Sequence, residues 1–132
     1  PEMIDEAIRP LLENPDDVIS NLMTEIKTRE EQDNPNRVKV VVDRNNYAMY
    51  FSREPIPSWK KGAKDVPMLC QTGIILFRRD FLFKYMEMEQ TPLEIVESVD
   101  MLRVLENGYK VKMVLTEDVT VGMFCNNCTS HN

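Results

Sequence analysis

The feature that most constrains the fold is a strongly marked helix between two strand-like segments in the second half of the chain. Thr91-Pro92-Leu93-Glu94 begins this helix, because threonine caps it, proline suits its first turn and glutamate closes a capping box. Asn107-Gly108 is a typical helix end. Residues 69–77 before the helix are almost continuously apolar, as in a central strand. Residues 109–116 after it alternate between apolar and polar, which predicts a half-buried strand.

This strand, helix and strand order makes the region a candidate for a right-handed crossover. A further short helix is predicted over residues 80–88. The predicted buried face of the capped helix comprises five aliphatic side chains: Leu93, Val96, Val99, Leu102 and Leu105.

The first half of the chain predicts a helix, an extended segment and a hairpin. Apolar residues recur with helical period in the N-terminal segment, which Asn14-Pro15 ends. Residues 18–26 are predicted to be extended, and residues 27–36 to form a loop or at most one turn of helix. Residues 38–51 predict a β-hairpin, and the proline-containing residues 54–68 a long exposed loop. The class is therefore α/β, or α+β with a protruding hairpin.

Composition excludes several classes of protein. A chain of 132 residues is one domain, and its formal charge of −6 argues against nucleic-acid binding. No apolar run approaches the roughly 18–20 residues that a membrane span needs. Three cysteines are an odd number and do not suggest a disulfide framework, so we expect a cytoplasmic protein.

The residues themselves offer little catalytic chemistry. The single histidine, His131, lies at the end of the sequence, and the four glycines do not form a phosphate-binding loop. Cys125, Cys128 and His131 have the spacing of three zinc ligands, although a polar tail that happens to contain two cysteines is the favoured interpretation. Glu94, Glu97 and Asp100 line one side of the capped helix, where they would bind a polyhydroxylated sugar or a cation, or simply face solvent.

Several motifs in a fixed order resemble the 3-deoxy-manno-octulosonate cytidylyltransferases (CMP-Kdo synthetases). The resemblance covers about residues 1–122 and leaves residues 123–132 as a tail outside the family. The matching stretches are Asn34-Pro35-Asn36, Val38-Lys39-Val40-Val41, Tyr47-Ala48-Met49-Tyr50-Phe51-Ser52-Arg53, Pro55-Ile56-Pro57, Thr72-Gly73-Ile74, Phe77-Arg78, Pro92-Leu93-Glu94, Glu97-Ser98, Leu102-Arg103-Val104-Leu105 and Asn107-Gly108.

The resemblance implies a partial nucleotidyltransferase-type, Rossmann-like sheet with a protruding hairpin. The family transfers CMP from CTP to a sugar acid with magnesium and releases pyrophosphate. Its CTP loop and one magnesium-binding aspartate lie upstream of residue 1, and Val121-Gly122 here is not followed by the second aspartate. We therefore expect no cofactor in this chain and no catalytic residue: a sugar-binding and dimerisation half, truncated at both ends and inactive alone.

The resemblance also indicates candidate substrate-binding residues. Arg53 matches a family arginine that meets the sugar, and a guanidinium suits a sugar carboxylate. Gln71 stands at a family histidine, and Asp100 at the first position of a Glu-Gln pair. With Glu94 they form the predicted site. For Arg53 sugar binding is slightly favoured over the alternative, a hairpin-end arginine that snorkels or pairs with a nearby acid.

Three functions remain open from the sequence. The first is an inactive cytidylyltransferase fragment whose exposed apolar surface drives self-association, most simply to a dimer. The second is a binding module for an acidic sugar that does not catalyse a reaction. The third is a small zinc-binding interaction protein built on the tail.

Overall fold

The computed structural model describes residues 2–117, and these form a five-stranded sheet with five helices. The elements in chain order are α1 (Glu2–Glu13), β1 (Ile19–Glu25), α2 (Arg29–Asp33), β2 (Lys39–Val42), β3 (Ala48–Ser52), β4 (Leu69–Phe77), α3 (Arg79–Glu87), α4 (Pro92–Glu97), α5 (Met101–Glu106) and β5 (Lys112–Leu115). The α/β class is confirmed, as are the predicted hairpin and each predicted strand.

The sheet has the strand order β3-β2-β4-β1-β5, so β4 is central as predicted. β1 runs antiparallel to β4 and parallel to β5. The predicted crossover from β4 to β5 is therefore wrong, because these two strands run in opposite directions and β1 lies between them. The helices of residues 79–106 connect β4 and β5, which are not neighbours in the sheet. The order of strand, helix and strand in the sequence is the same for this connection as for a true crossover, so it could not separate the two.

The β2–β3 hairpin is closed by turn chemistry and joined to the sheet over a short distance. The Asp43 carboxylate accepts hydrogen bonds from the backbone N–H groups of Asn45 and Tyr47. Asn46 has a φ of 67°, a left-handed conformation that asparagine tolerates. β2 pairs with β4 only through Lys39 and Val40, so most of the hairpin extends beyond its neighbour.

The capped helix begins as predicted but does not continue to residue 106. Both hydrogen bonds of the Thr91–Glu94 capping box are present. Ser98 then adopts a left-handed conformation with φ 58°, which ends α4 and gives α5 a separate direction. The predicted buried face is therefore wrong for Leu93 and Val96, which are 41% and 80% exposed. Val99 and Leu102 beyond the break are buried.

The main core lies between the sheet and the helices of the second half. Its buried members include Ile19, Val40, Phe51, Leu69, Phe81, Val99, Met101, Leu102, Val104, Val111 and Met113. α1 packs on β1, where the Ser20 hydroxyl donates to the carbonyl of Ala7. Ala7 and Leu11 are the buried residues of α1, whereas Ile4, Ile8 and Leu12 on its apolar stripe are exposed.

The two predicted loops differ in structure. Residues 27–36 contain the five-residue α2, capped by Thr28 and Glu31, which agrees with at most a short helical turn. Residues 54–68 form no helix or strand, and Trp59 within them packs against the small cluster of Ile26, Met68 and Cys70. Among residues 2–117, no helix has the length and apolar character needed to cross a membrane.

Candidate functional site

The four predicted site residues lie on different elements. Arg53 directly follows β3, Gln71 lies in β4, Glu94 in α4 and Asp100 immediately before α5. The structure describes all four, and each has a different environment.

Arg53 connects three segments of the chain through backbone carbonyls. Its Nε donates to the Glu97 carbonyl at 2.6 Å, and its two terminal nitrogens donate to the carbonyls of Pro35 and Ser98 at 2.9 and 2.7 Å. Within residues 2–117, no carboxylate lies within salt-bridge distance of this guanidinium. A guanidinium has five N–H groups, so this arrangement leaves donors and an unneutralised charge.

Lys39 brings a second cation to the same place. Its side chain is fully buried, and Nζ donates to the carbonyls of Asn34 and Arg53 at 2.8 and 3.1 Å. Burial lowers the pKa of Lys39, since desolvation disfavours the charged form. Lys39 is not among the predicted site residues, although a lone charge within Val38-Lys39-Val40-Val41-Val42 was a signal available in the sequence.

Glu97 fixes the hairpin against the end of α4. Its carboxylate accepts hydrogen bonds from the Arg53 backbone N–H and the Tyr50 hydroxyl, both at 3.0 Å. Burial raises the pKa of Tyr50, and its hydrogen bond to Glu97 raises it further. Glu97 therefore positions the backbone of Arg53.

Gln71 belongs to an amide network at an irregularity between β1 and β4. Its Nε2 donates to Asn21 Oδ1 at 2.8 Å. The fully buried Asn21 in turn donates to the carbonyls of Thr72 and Ile74 at 3.1 and 2.9 Å. The backbone N–H of Gln71 donates to the carbonyl of Val38, the neighbour of Lys39. Gln71 thus lies at the same end of the sheet as Lys39 and Arg53.

Glu94 is buried and bonded within the helical region. Its two oxygens accept from Nε and a terminal nitrogen of Arg103 at 2.9 and 2.6 Å, and one also accepts from the Thr91 N–H. The hydrogen bonds from Arg103 lower the pKa of Glu94, although burial opposes this effect. Only 2% of Glu94 is exposed, so its carboxylate is not presented to solvent.

Asp100 is exposed at the beginning of α5. Burial raises the pKa of Tyr85, and the negative charge of Asp100 raises it further. Asp100 is two residues from Ser98, whose carbonyl binds Arg53. Arg53 thus bonds to the backbone two residues before Asp100, while Glu94 bonds to Arg103 in α5.

An arginine that donates hydrogen bonds to backbone carbonyls is not for that reason alone a ligand-binding residue. Arg78 at the other end of β4 donates to the carbonyls of Leu11, Asn14 and Asp17 in a comparable way. Arg53 differs because its terminal nitrogens are exposed and because Lys39 lies beside it.

The described residues do not provide a magnesium or zinc site. Residues 2–117 contain no group of three or more His, Cys, Asp or Glu side chains arranged to hold a metal. The predicted zinc ligands Cys125, Cys128 and His131 lie outside the described residues.

A protein-family model matches most of the chain. The model described as cytidylyltransferase matches residues 1–114. The chain belongs to the cytidylyltransferase family. This confirms the resemblance found in the sequence.

Individual relatives agree with this assignment. The 3-deoxy-manno-octulosonate cytidylyltransferase of Geotalea uraniireducens is 42% identical over 133 residues, which is 93% of this chain and 53% of the relative. The enzyme of the same name from Fusobacterium nucleatum is 43% identical over 122 residues, 92% of this chain and 49% of the relative. The chain spans about half the length of these relatives.

A solved structure supports the fold. CMP:2-keto-3-deoxy-manno-octonic acid synthetase, determined in complex with CTP, matches this cytidylyltransferase chain with a TM-score of 0.80 and 25% identity. The match covers 98% of this chain and 55% of the solved one. The nucleotidyltransferase-type sheet expected from the sequence is therefore confirmed for the part that this chain contains.

Proposed function

We propose that this chain supplies the sugar-acid-binding half of a CMP-sugar-acid synthetase. The whole enzyme would join CTP and a 2-keto sugar acid to give CMP-sugar and pyrophosphate. The relatives and the solved enzyme are named for an eight-carbon 2-keto acid, and these names support this substrate class.

The observation that carries the proposal is the pair of cations at the hairpin end of the sheet. Arg53 and Lys39 are both held by backbone carbonyls, and no carboxylate of residues 2–117 forms a salt bridge with either. Two fixed positive charges create a potential that favours an anion. Arg53 would bind the sugar carboxylate through its remaining N–H groups, since planar charge-assisted bonds are strong and directional.

Gln71 and Asp100 would select the sugar through its hydroxyl groups. An amide provides both donors and an acceptor, and a carboxylate provides acceptors. Glu94 would act indirectly, because its buried salt bridge with Arg103 holds α4 against α5 and thereby positions Asp100. These roles predict that Gln71 and Asp100 variants weaken binding without unfolding the chain.

We further propose that the 132-residue chain does not transfer CMP by itself. In the sequence the four glycines lack the spacing of a phosphate-binding loop, and residues 2–117 hold no acidic cluster for magnesium. Purified chain is incubated with CTP, magnesium and 2-keto-3-deoxy-manno-octonic acid, and pyrophosphate release is measured. We expect no release above the rate without protein; turnover that co-purifies with the chain contradicts this part of the proposal.

Sugar-acid binding is tested separately by calorimetric titration. Wild-type chain should give saturable heat with 2-keto-3-deoxy-manno-octonic acid, and Arg53→Ala should lose at least about 10-fold in affinity, as expected for a charge-assisted bond. Arg44→Ala is the matched control, because Arg44 is an exposed arginine of the same hairpin. Equal heats from all three proteins would remove the binding role.

Self-association is the remaining partner proposal. Leu93, Ile95 and Val96 of α4 are 41%, 60% and 80% exposed, an apolar surface of the kind that drives oligomer formation. We expect a dimer in sedimentation velocity and a monomer for Val96→Glu. A monomeric wild-type chain at high concentration contradicts it.

A further inference from the structure

Asn21 is a buried amide that forms hydrogen bonds through both of its branches. It lies in β1 and is fully buried. Burying an amide is unfavourable unless its donors and its acceptor find partners. Its Nδ2 donates to the carbonyls of Thr72 and Ile74 at 3.1 and 2.9 Å, and its Oδ1 accepts from Gln71 Nε2 at 2.8 Å. The Asn21 side chain is therefore bonded to three residues of β4.

Asn21 also holds an irregular part of the pairing between β1 and β4. The register places Asn21 opposite Ile75 and Met23 opposite Gln71, so the one residue between Asn21 and Met23 faces residues 72–74 of β4. The Asn21 side chain bonds to the carbonyls of the first and the last of these three residues. Bulges change the direction of neighbouring side chains and are frequent beside functional sites. Gln71 directly precedes this bulge, so Asn21 fixes the backbone next to it.

The partners of Asn21 determine which way its amide is turned. Backbone carbonyls only accept hydrogen bonds, so the branch that contacts Thr72 and Ile74 is the nitrogen. The oxygen branch then faces Gln71, and an acceptor requires a donor from its partner. Gln71 therefore turns Nε2 toward Asn21, and the other branch of its amide carries the acceptor Oε1. A residue of another strand thus sets the orientation of Gln71.

We propose, as an extension that rests on the proposed function, that Asn21 is a positioning residue for the sugar acid. Asn21 holds the Gln71 amide so that Oε1 accepts a hydrogen bond from a hydroxyl group of the sugar. A carbonyl oxygen accepts up to two hydrogen bonds. Arg53 donates and suits the sugar carboxylate, whereas an acceptor at Gln71 suits a group that donates. The donor and the acceptor together fix the direction in which the sugar acid lies.

The first part of the experiment measures the bond between Asn21 and Gln71 in the 132-residue chain without sugar. Hydrogen exchange of the glutamine side-chain amides is followed by NMR in wild type and in Asn21→Ala. In wild type the Gln71 amide should exchange at least about 10-fold more slowly than that of Gln90, an exposed glutamine. Most of this protection should be lost in Asn21→Ala, because the acceptor of Nε2 is removed. Equal exchange of the two glutamines in wild type overturns the proposal.

The second part measures the affinity for 2-keto-3-deoxy-manno-octonic acid by calorimetric titration. Asn21→Ala should lose about 5-fold in affinity, and Gln71→Met, which lacks the amide, should lose at least as much. The double variant should lose no more than Gln71→Met alone, because Asn21 acts through Gln71. Losses that add in the double variant would show that Asn21 acts by another route, and would overturn the proposal.

Ser20→Ala is the matched control for losing a buried hydrogen bond of β1. Ser20 is fully buried, and its hydroxyl donates to the carbonyl of Ala7 in α1 and not to the bulge of β4. The control should lower stability, but it should leave the exchange of the Gln71 amide and the affinity for the sugar acid unchanged. A purely structural role for Asn21 predicts that Ser20→Ala and Asn21→Ala affect affinity equally.

Two substitutions of Gln71 keep a test available where Asn21→Ala fails to fold. Gln71→Glu places a carboxylate, which cannot donate, against Oδ1 of Asn21, and it should lose affinity. In Gln71→His a neutral ring donates from one nitrogen and accepts at the other, as the proposal requires of this position. Gln71→His should therefore bind more tightly than Gln71→Glu. The reverse order overturns the proposal.

The two proposals fail in different ways. Absence of saturable heat from wild type overturns the proposed function and, with it, the contact between Gln71 and the sugar. Saturable heat from wild type with an unchanged affinity in Asn21→Ala leaves the proposed function in place and overturns the positioning role of Asn21.

Discussion

Arg53 and Arg103 both contact the region of α4 and α5, and they use their guanidinium groups in different ways. Arg103 is neutralised by Glu94, and the side chains of this pair are 15% and 3% exposed. Arg53 binds three carbonyls, and among residues 2–117 its guanidinium has no carboxylate partner. The same residue type is therefore neutralised within the fold at Arg103, whereas at Arg53 its positive charge remains available to a ligand.

The largest expected loss of stability comes from breaking the neutralised Arg103–Glu94 pair. Glu94→Ala leaves Arg103 charged and partly buried without its partner, which costs about 3–5 kcal/mol of the free energy of unfolding. Urea denaturation followed by circular dichroism measures this loss. Glu94→Gln is the control, because it removes the charge but keeps hydrogen-bonding atoms, and it should lose less. A loss below about 1 kcal/mol in Glu94→Ala would mean that the pair is not a stabilising contact.

Removing Arg53 should cost less stability than removing Glu94. Arg53→Ala loses three hydrogen bonds to carbonyls, two of them exposed, so water replaces the guanidinium at part of the site. We expect a loss of about 1–3 kcal/mol in the same denaturation experiment. A loss larger than that of Glu94→Ala would reverse the comparison and make Arg53 the principal structural contact.

Acid should weaken the neutralised pair selectively. The folded-state pKa of Glu94 is lowered by Arg103, so its contribution to stability is present above the pKa of the unfolded state and is lost as pH falls through the folded-state pKa. At pH values below about 4.5, the urea concentration at the denaturation midpoint should therefore decrease more steeply with falling pH for wild type than for Glu94→Gln. Parallel pH profiles would show that Glu94 does not contribute.

The smallest effect concerns the hydrogen bond that positions Arg53. Tyr50→Phe removes the donor to Glu97 and should cost about 0.5–1.5 kcal/mol. The pKa of Tyr50 is raised, so its contribution is present below the unfolded pKa and is lost as pH rises through the folded value. Absorbance titration at alkaline pH should lose one late-titrating phenol in Tyr50→Phe, and retention of all late components would contradict this.

Local signals predicted elements well, and long-range pairing poorly. The capping box at Thr91 and the β-branched run at Val38 depend on neighbouring residues, so helix starts and the hairpin could be predicted. The place of β1 between β4 and β5 depends on contacts more than 30 residues apart, which periodicity does not encode. The left-handed Ser98 also had no signal, because serine is not a usual residue for that conformation.

Candidate site residues could be named from the sequence, whereas their hydrogen bonds in the fold could not be predicted from it. The order of the family-like motifs indicated Arg53, Gln71, Glu94 and Asp100 as candidate site residues. Spacing placed Glu94 on a solvated helix face or in a site, and the structure places it in a buried salt bridge, since α5 turns back after Ser98. The role of Lys39 depends on carbonyls of two other segments, so its burial could not be derived from β2 alone.

The most direct test compares the environments of Arg53 and of the Arg103–Glu94 pair as ligand sites. Wild type, Arg53→Gln and Glu94→Gln are titrated calorimetrically with 2-keto-3-deoxy-manno-octonic acid after each is shown to be folded. We expect saturable heat for wild type and Glu94→Gln, and an affinity at least about 10-fold lower for Arg53→Gln. An unchanged affinity in Arg53→Gln would contradict the claim that Arg53 holds the sugar acid.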